Sequence, residues 1–183
     1  MSVAYTWGTE EAERRLPFPC DSYVPKPDAM YFRAVTVRAT PDRLYRWLCQ
    51  LRAAPYSYDW IDNWGRRSPR TLTPGLEHLA IGQSMMRVFT VVDFAKDRHV
   101  TLRVKHAARA FSIFGDVAVT YLILPEAPER CRLVVKVVVR YTHGVTGFAM
   151  RRLLPWGDLV MMRRQLRRLA KYAERDAAAT VRT

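Results

Sequence analysis

Three side chains in this sequence combine acid–base chemistry with positions on predicted strands. His106 and His143 each continue the apolar alternation of the strand before them, which predicts that both point inward at strand ends. A histidine titrates near neutral pH and can give or accept a proton, although a structural, hydrogen-bonded histidine is the alternative interpretation. Asp93 shares the parity of Phe89 and Val91. An inward Asp93 would be a buried general base with a raised pKa, whereas an outward one would face water.

Motifs that would assign a reaction are absent from the sequence. It contains no HExxH, GxSxG, phosphate-binding loop or GxGxxG. Cys20, Cys49 and Cys131 are widely separated, with no CxxC and no neighbouring histidine, so they are predicted to be free thiols. The sequence therefore assigns no catalytic residue, and it predicts no metal site and no cofactor.

Aromatic and long apolar side chains are the candidates for binding an apolar ligand. Tyrosine and tryptophan provide apolar walls that carry a polar group, although each of these residues has a place in the core as its alternative. The predicted ligand-binding residues are Tyr58, Trp60, Trp64, Phe89, Leu102, Phe114, Tyr121, Tyr141, Trp156 and Met162.

The element that would position these residues is a long C-terminal helix, predicted over residues 155–175. Apolar residues recur there at steps of three and four, which places them on one helical face. That face comprises Leu159, Met162, Leu166, Leu169, Ala170 and Ala173. The opposite face is basic and comprises Arg163, Arg164, Arg167, Arg168, Lys171 and Arg175.

Period-two alternation of apolar residues predicts an antiparallel sheet upstream of this helix. The predicted strands cover residues 30–39, 87–94, 99–105, 114–124 and 131–143. The short link PEAPER makes the last two a hairpin. Two short helices, at residues 41–51 and 58–64, are predicted between the first strand and the second.

One domain is predicted over residues 30–177. Residues 1–29 contain Pro17, Pro19, Pro25 and Pro27 and show no sustained periodicity, so they are predicted to form an extended arm packed on the domain. The Ala-rich residues 178–183 are predicted to fray.

The sequence is strongly basic, with 30 Lys and Arg against 17 Asp and Glu and a net charge of +13. No RNA-binding motif, helix-turn-helix or basic tail accompanies the charge, which argues against nucleic acid. A solvated surface and peripheral contact with an anionic membrane stay open as alternatives. No apolar run approaches the roughly 18 residues of a membrane span, and no signal-peptide pattern begins the chain, so we expect a cytoplasmic location. Nothing in the sequence fixes the oligomeric state.

The order of these elements resembles the helix-grip fold of the START-like superfamily. The stretches TWGTEEAERRLPFPCD, FRAVTVRATPDRLYRWLCQL, YSYDWIDNWGRRSP, LAIGQ and MMRRQLRRLAKYAE are similar to its bacterial SRPBCC branch, often labelled polyketide cyclase/dehydrase or lipid-transport-like. The resemblance spans nearly the whole chain. It implies an α+β fold in which a curved antiparallel sheet wraps around the C-terminal helix, with two short helices after the first strand and a cavity between sheet and helix.

Three functions are compatible with these sequence features. The first is binding of a hydrophobic small molecule, such as a lipid or a polyketide, in that cavity. The second is a cyclase or dehydratase reaction in the same cavity, with a proton moved by His106, His143 or Asp93. The third is binding of anionic lipid or nucleic acid by the arginine-rich surface.

Overall fold

A computed structural model describes residues 2–58 and 67–180 of the chain. Within these residues, six strands form one antiparallel sheet in the order β1-β6-β5-β4-β3-β2. The strands are β1 (Ala29–Val37), β2 (Ser84–Met85), β3 (Phe89–Ala95), β4 (His99–Val104), β5 (Asp116–Ala127) and β6 (Arg130–Arg140). The helices are α1 (Val3–Thr6), α2 (Glu11–Arg14), α3 (Pro41–Cys49), α4 (Arg109–Phe114) and α5 (Gly144–Thr180), with 3-10 turns at Pro19–Ser22 and Gln50–Arg52.

The inner face of the sheet packs against α3 and α5, as the α+β helix-grip prediction requires. Leu44, Trp47 and Leu48 of α3 are buried in the same core as Leu166 and Leu169 of α5. The first of the two predicted short helices is therefore confirmed, together with the hairpin of β5 and β6. The second, predicted over 58–64, lies almost entirely outside the described residues. None of the described helices combines the length and the apolar character that a membrane span needs.

Helix α5 is longer than the sequence predicted at both ends. It begins at Gly144 and contains Pro155 in its interior, where proline removes one backbone hydrogen bond. The turns before Pro155 stay helical because Met150 and Leu154 pack on the core. At the other end Ala177 is buried, so the helix continues to residue 180. Fraying was predicted for 178–183, and residues 181–183 of that tail lie outside the described residues.

The predicted strand at 114–124 begins later than expected, because Phe114 ends α4. Gly115 then connects α4 to β5 with φ of +84°, and a Cβ built on it would lie 2.0 Å from the carbonyl oxygen of Arg140. Both its conformation and its close approach to β6 therefore require glycine. This sharp connection brings Phe114 to the edge of the inner face.

The N-terminal segment, residues 2–28, is not extended throughout as the sequence predicted. Its later part covers the outer face of the sheet, whereas Tyr5 and Trp7 pack against the inner core. Proline is compatible with the first position of a short helical turn, and Pro19 lies at that position of a 3-10 turn. Helix α2 is stabilised separately by a capping box that Glu10 and Glu13 form. Phe18, Cys20 and other residues of the segment pack on the outer side chains of β1, β5 and β6.

Ion pairs fix this N-terminal segment to the sheet. Arg132 of β6 donates to both oxygens of Glu13 at 2.7 and 2.9 Å, and Lys136 lies 2.7 Å from Asp21. Burial alone would raise the pKa of Glu13, but its hydrogen bonds to Arg132 and to the backbone of Glu10, with the charge of Arg132, hold it below its ordinary value. Glu13 and Asp21 of the segment thus neutralise two basic residues of the sheet.

Candidate ligand cavity

A cavity of about 430 Å³ lies between the inner face of the sheet and α5. Valines of β5 and β6 form its floor, and turns 154–162 of α5 form its roof. Its partly exposed lining residues mark the mouth, which lies between α4, the segment 86–89 and the middle of α5. They include Phe114, Val88, Gly157 and Met161. The cavity is open to solvent there and is lined mainly by apolar side chains.

Four of the predicted ligand-binding residues line this cavity: Phe89, Phe114, Tyr121 and Met162. They come from β3, α4, β5 and α5, so the fold brings together side chains that are distant in the sequence. Tyr121 and Met162 follow the 2- and 3.6-residue periods of β5 and α5, which place them toward the sheet–helix interface. Phe114 reaches the cavity from the end of α4 and not from the strand that the sequence predicted.

The other predicted ligand-binding residues do not line the cavity. Leu102 is buried in the core, and Tyr141 is buried with its hydroxyl on that of Tyr31. Trp156 is 54% exposed on the outer side of α5. Tyr58 packs under the guanidinium of Arg164, with 4.3 Å between the ring centroid and Cζ. Trp60 and Trp64 lie outside the described residues.

Several polar groups meet the apolar lining at the roof of the cavity. The hydroxyl of Tyr121 donates to Oε1 of Gln165 at 2.7 Å, and Nε2 of Gln165 donates to the carbonyl of Pro55 at 2.6 Å. The Gln165 amide is thereby held in one orientation. The hydroxyls of Tyr31 and Tyr141 are hydrogen-bonded to each other. Burial raises the pKa of Tyr31 and Tyr121, so both stay protonated.

A buried ion pair, which the sequence did not predict, lies beside these hydroxyls. Nη2 of Arg33 lies 2.7 Å from Oδ2 of Asp158, with the Arg33 side chain fully buried and that of Asp158 15% exposed. Arg33 also donates to the carbonyls of Phe32 at 2.9 Å and Ala4 at 2.8 Å. Asp158 lines the cavity. Burial raises its pKa to about 6 against the opposing effect of Arg33, while burial lowers the pKa of Arg33.

This pair places a carboxyl that titrates near neutral pH at the cavity wall. Such a group can accept a hydrogen bond when ionised and donate one when protonated. A sequence signal existed for it, since Asp158 lies on the same face of α5 as Met162 and Gln165, where an acid is unusual. Arg33 is a second such signal, because it lies two residues after Tyr31 on β1 and so shares its inward face.

The inward orientation predicted for His106 and His143 is wrong, and of the two alternatives for Asp93 the structure shows the outward one. His106 follows the end of β4, and its side chain is 62% exposed. His143 follows the end of β6 and is exposed. A bulge between Val91 and Asp93 changes the parity of β3, so Asp93 lies opposite Thr101 and bonds to His99 at 3.2 Å. Strand parity does not extend past a strand end or a bulge.

Within residues 2–58 and 67–180, no three His, Cys, Asp or Glu side chains lie close enough together to hold a metal ion. The predicted free thiols are confirmed, and all three are buried. Burial raises the pKa of Cys20 to about 11. Thiols in such surroundings are poor nucleophiles.

The geometry defines a helix-grip protein with a half-open apolar cavity under its C-terminal helix. No protein-family model matches the sequence, and no curated protein matches it. Solved structures do. The chain is similar to the Zhui aromatase/cyclase from Streptomyces sp. R1128, with 20% identity over 80% of this chain and 93% of that one and a TM-score of 0.51.

Two further solved structures show the same fold. One is the di-domain aromatase/cyclase StfQ of the steffimycin biosynthetic pathway, with 13% identity over 81% of this chain and 51% of that one, at a TM-score of 0.54. The other is a hypothetical protein from Helicobacter pylori, with 15% identity over 86% and 95% of the two chains and the same TM-score of 0.54. These similarities confirm the fold that the SRPBCC and START-like resemblance implied.

Proposed function

We propose that this protein binds an apolar small molecule that carries at least one hydroxyl or carbonyl group. The observation that carries the proposal is the cavity of about 430 Å³, whose apolar walls meet Tyr31, Tyr121 and Asp158 on one side. Its volume falls within the roughly 300–1,000 Å³ that pockets for drug-sized molecules occupy. The apolar walls supply affinity, and the polar groups orient the ligand.

The expected affinity follows from the area that such a ligand would bury. Removing about 300 Å² of apolar surface from water at roughly 25 cal/mol per Å² contributes about 7 kcal/mol. Loss of ligand freedom opposes part of this gain. Hydrogen bonds to Tyr121 or Asp158 add to it only where the ligand presents a matching group, because an unmatched buried polar group is penalised. Since about 8 kcal/mol corresponds to a dissociation constant of about 1 μM, we expect dissociation constants no tighter than the micromolar range.

Gly157 offers a direct test, because it lines the mouth of the cavity and a Cβ built on it meets no heavy atom within 4 Å. Gly157→Phe should fill the mouth, whereas Gly157→Ala serves as the matched control. The probe is the neutral fluorophore N-phenyl-1-naphthylamine, whose emission rises in apolar surroundings. Wild type and Gly157→Ala should bind it alike, and Gly157→Phe should bind it at least tenfold more weakly. Absence of probe binding by wild type, or equal binding by all three proteins, would refute the proposal.

A cyclase or dehydratase reaction is the second candidate function. Two observations favour it: similar solved structures are described as aromatase/cyclases, and Asp158 combines a place at the cavity wall with a pKa of about 6. In this proposal Asp158 moves a proton on the bound substrate. The test is incubation with a linear poly-β-ketone and mass spectrometry for loss of water. Turnover that disappears in Asp158→Asn, with probe binding retained, supports the reaction. Absence of turnover in wild type leaves ligand binding as the function.

A further inference from the structure

The outward face of α5 carries an apolar patch beside the mouth of the cavity. Leu153, Trp156 and Val160 are 63%, 54% and 51% exposed. Their spacing of three and four residues places them on one side of the helix. Exposed apolar side chains on consecutive turns are uncommon on a surface that meets only water. This apolar patch is therefore a candidate contact surface.

A basic patch follows on the next turns of the same face. Arg163, Arg164, Arg167 and Lys171 border a groove that also includes Val160. Among the described residues, no carboxylate pairs with these four side chains. Arg163 and Arg167 lie over the ring of Trp7, with 5.6 Å from each Cζ to the centroid. These contacts orient the guanidinium groups through the ring of Trp7 and not through a described carboxylate.

The apolar patch adjoins the cavity entrance. Gly157 and Met161, which line the mouth, are the next residues in the chain after Trp156 and Val160. Across the mouth, Phe114 of α4 is 37% exposed and also lines the cavity. The entrance is thus flanked on two sides by exposed apolar residues.

We propose that this face of α5 docks on the surface of an anionic membrane. Helices that lie in a membrane interface place tryptophan and aliphatic residues at the boundary of headgroups and acyl chains and place arginines among the phosphates. The apolar and basic patches of α5 supply both parts on one face. Docking would hold the cavity mouth at the lipid surface, where apolar molecules are most concentrated. A nucleic acid would use the arginines alone and would leave Leu153, Trp156 and Val160 without a partner.

The experiment is co-sedimentation of the full chain with vesicles of phosphatidylcholine, with or without 30% phosphatidylglycerol. We expect binding to the anionic vesicles only, with a blue shift of tryptophan emission. Raising the salt from 0.1 to 0.5 M should weaken binding strongly, since ions screen the contact. Each basic residue near an anionic surface changes the partition coefficient about fivefold. Replacing three of them should therefore weaken binding about a hundredfold.

The variant is Arg163→Gln/Arg164→Gln/Arg167→Gln. Its matched control removes three exposed arginines from other elements, Arg38→Gln/Arg70→Gln/Arg98→Gln. The control lowers the net charge equally, so its smaller effect would show that position matters. Trp156→Ser/Val160→Ser should abolish the blue shift and weaken binding at least tenfold.

Three outcomes would overturn the docking proposal. They are equal binding to neutral and anionic vesicles, equal losses in the two triple variants, and no vesicle binding at all. Binding of duplex DNA that only the α5 triple variant loses, with no vesicle binding, would assign the basic patch to nucleic acid instead. The fluorophore assay on the α5 triple variant keeps this proposal separate from the ligand proposal, because the cavity is unchanged in that variant.

Discussion

The substitution Arg33→Met tests the buried ion pair at the cavity wall. Methionine has a similar length and no charge, so it removes the guanidinium without opening a large void. It leaves the carboxyl of Asp158 without its partner, and it leaves the carbonyls of Ala4 and Phe32 without their side-chain donor. Removing one partner of a buried pair costs about 3–5 kcal/mol. For a domain of this length, that corresponds to a fall in Tm of about 6–20 °C at pH 7.

The destabilisation by Arg33→Met should be larger at high pH than at low pH. The pKa of Asp158 is raised from 3.8 to about 6 in the folded protein. Stability from this group is therefore fully present below about pH 3.8 and is lost as the pH rises through about 6. Arg33 opposes the effect of burial on Asp158, so removing Arg33 raises the pKa of Asp158 further and enlarges the stability that is lost at high pH. A tenfold change in proton affinity corresponds to about 1.4 kcal/mol, so the destabilisation by Arg33→Met should be about 1–2 kcal/mol smaller at pH 5 than at pH 7.

Urea unfolding followed by circular dichroism at pH 5 and pH 7 measures the free energy of unfolding. It therefore gives both the destabilisation by Arg33→Met and its change with pH. The double variant Arg33→Met/Asp158→Asn is the control, because it has no carboxyl to titrate. It should recover stability relative to Arg33→Met at pH 7, and its difference from Arg33→Met should shrink at pH 5. A destabilisation by Arg33→Met below about 1 kcal/mol, or one that is equal at the two pH values, would refute the reasoning.

Three further predictions concern the frame around the cavity. Gly115→Ala should destabilise the protein by at least about 2 kcal/mol in urea because of its positive φ and its contact with β6, whereas Gly157→Ala in α5 should be neutral or stabilise by up to about 1 kcal/mol. Glu13→Gln should cost about 1–2 kcal/mol at pH 7, and the difference from wild type should close as the pH falls through the lowered pKa of Glu13; a constant difference would contradict the role of the Arg132 pair. A thiol reagent should label no cysteine in the native protein and all three after unfolding, namely Cys20, Cys49 and Cys131.

The fold was largely predictable because its signals are local. Alternation along β6 and the i, i+3, i+4 spacing along α3 and α5 each reflect burial of one face, and a periodic pattern reports that burial directly. Helix α5 was predicted too short because proline has a strong local preference for a first turn. The packing of Met150 and Leu154 outweighs that preference, and packing across the sheet is not visible in the local sequence.

The site was less predictable because it depends on contacts between distant residues. Arg33 and Asp158 are separated by 125 positions in the chain, and no spacing rule connects them. The histidines showed the opposite error, since parity was extended past the ends of β4 and β6. An arginine on an inward strand position and an acid on an apolar helix face each contradict the local pattern. Together they would have indicated a pair, because a buried charge requires a partner.

The distribution of partners also explains which of the many basic residues are available for binding. The outer face of the sheet carries Arg132 and Lys136, and both meet acids of the N-terminal segment, Glu13 and Asp21. Those two cations are therefore used within the fold, each paired with an acid of the N-terminal segment. No comparable acidic segment among the described residues covers the basic patch of α5. The net charge of +13 is thus compensated in part where the sheet needs a cover. Among the residues that the structure describes, no carboxylate pairs with Arg163, Arg164, Arg167 or Lys171, which a charged partner from outside the chain would meet.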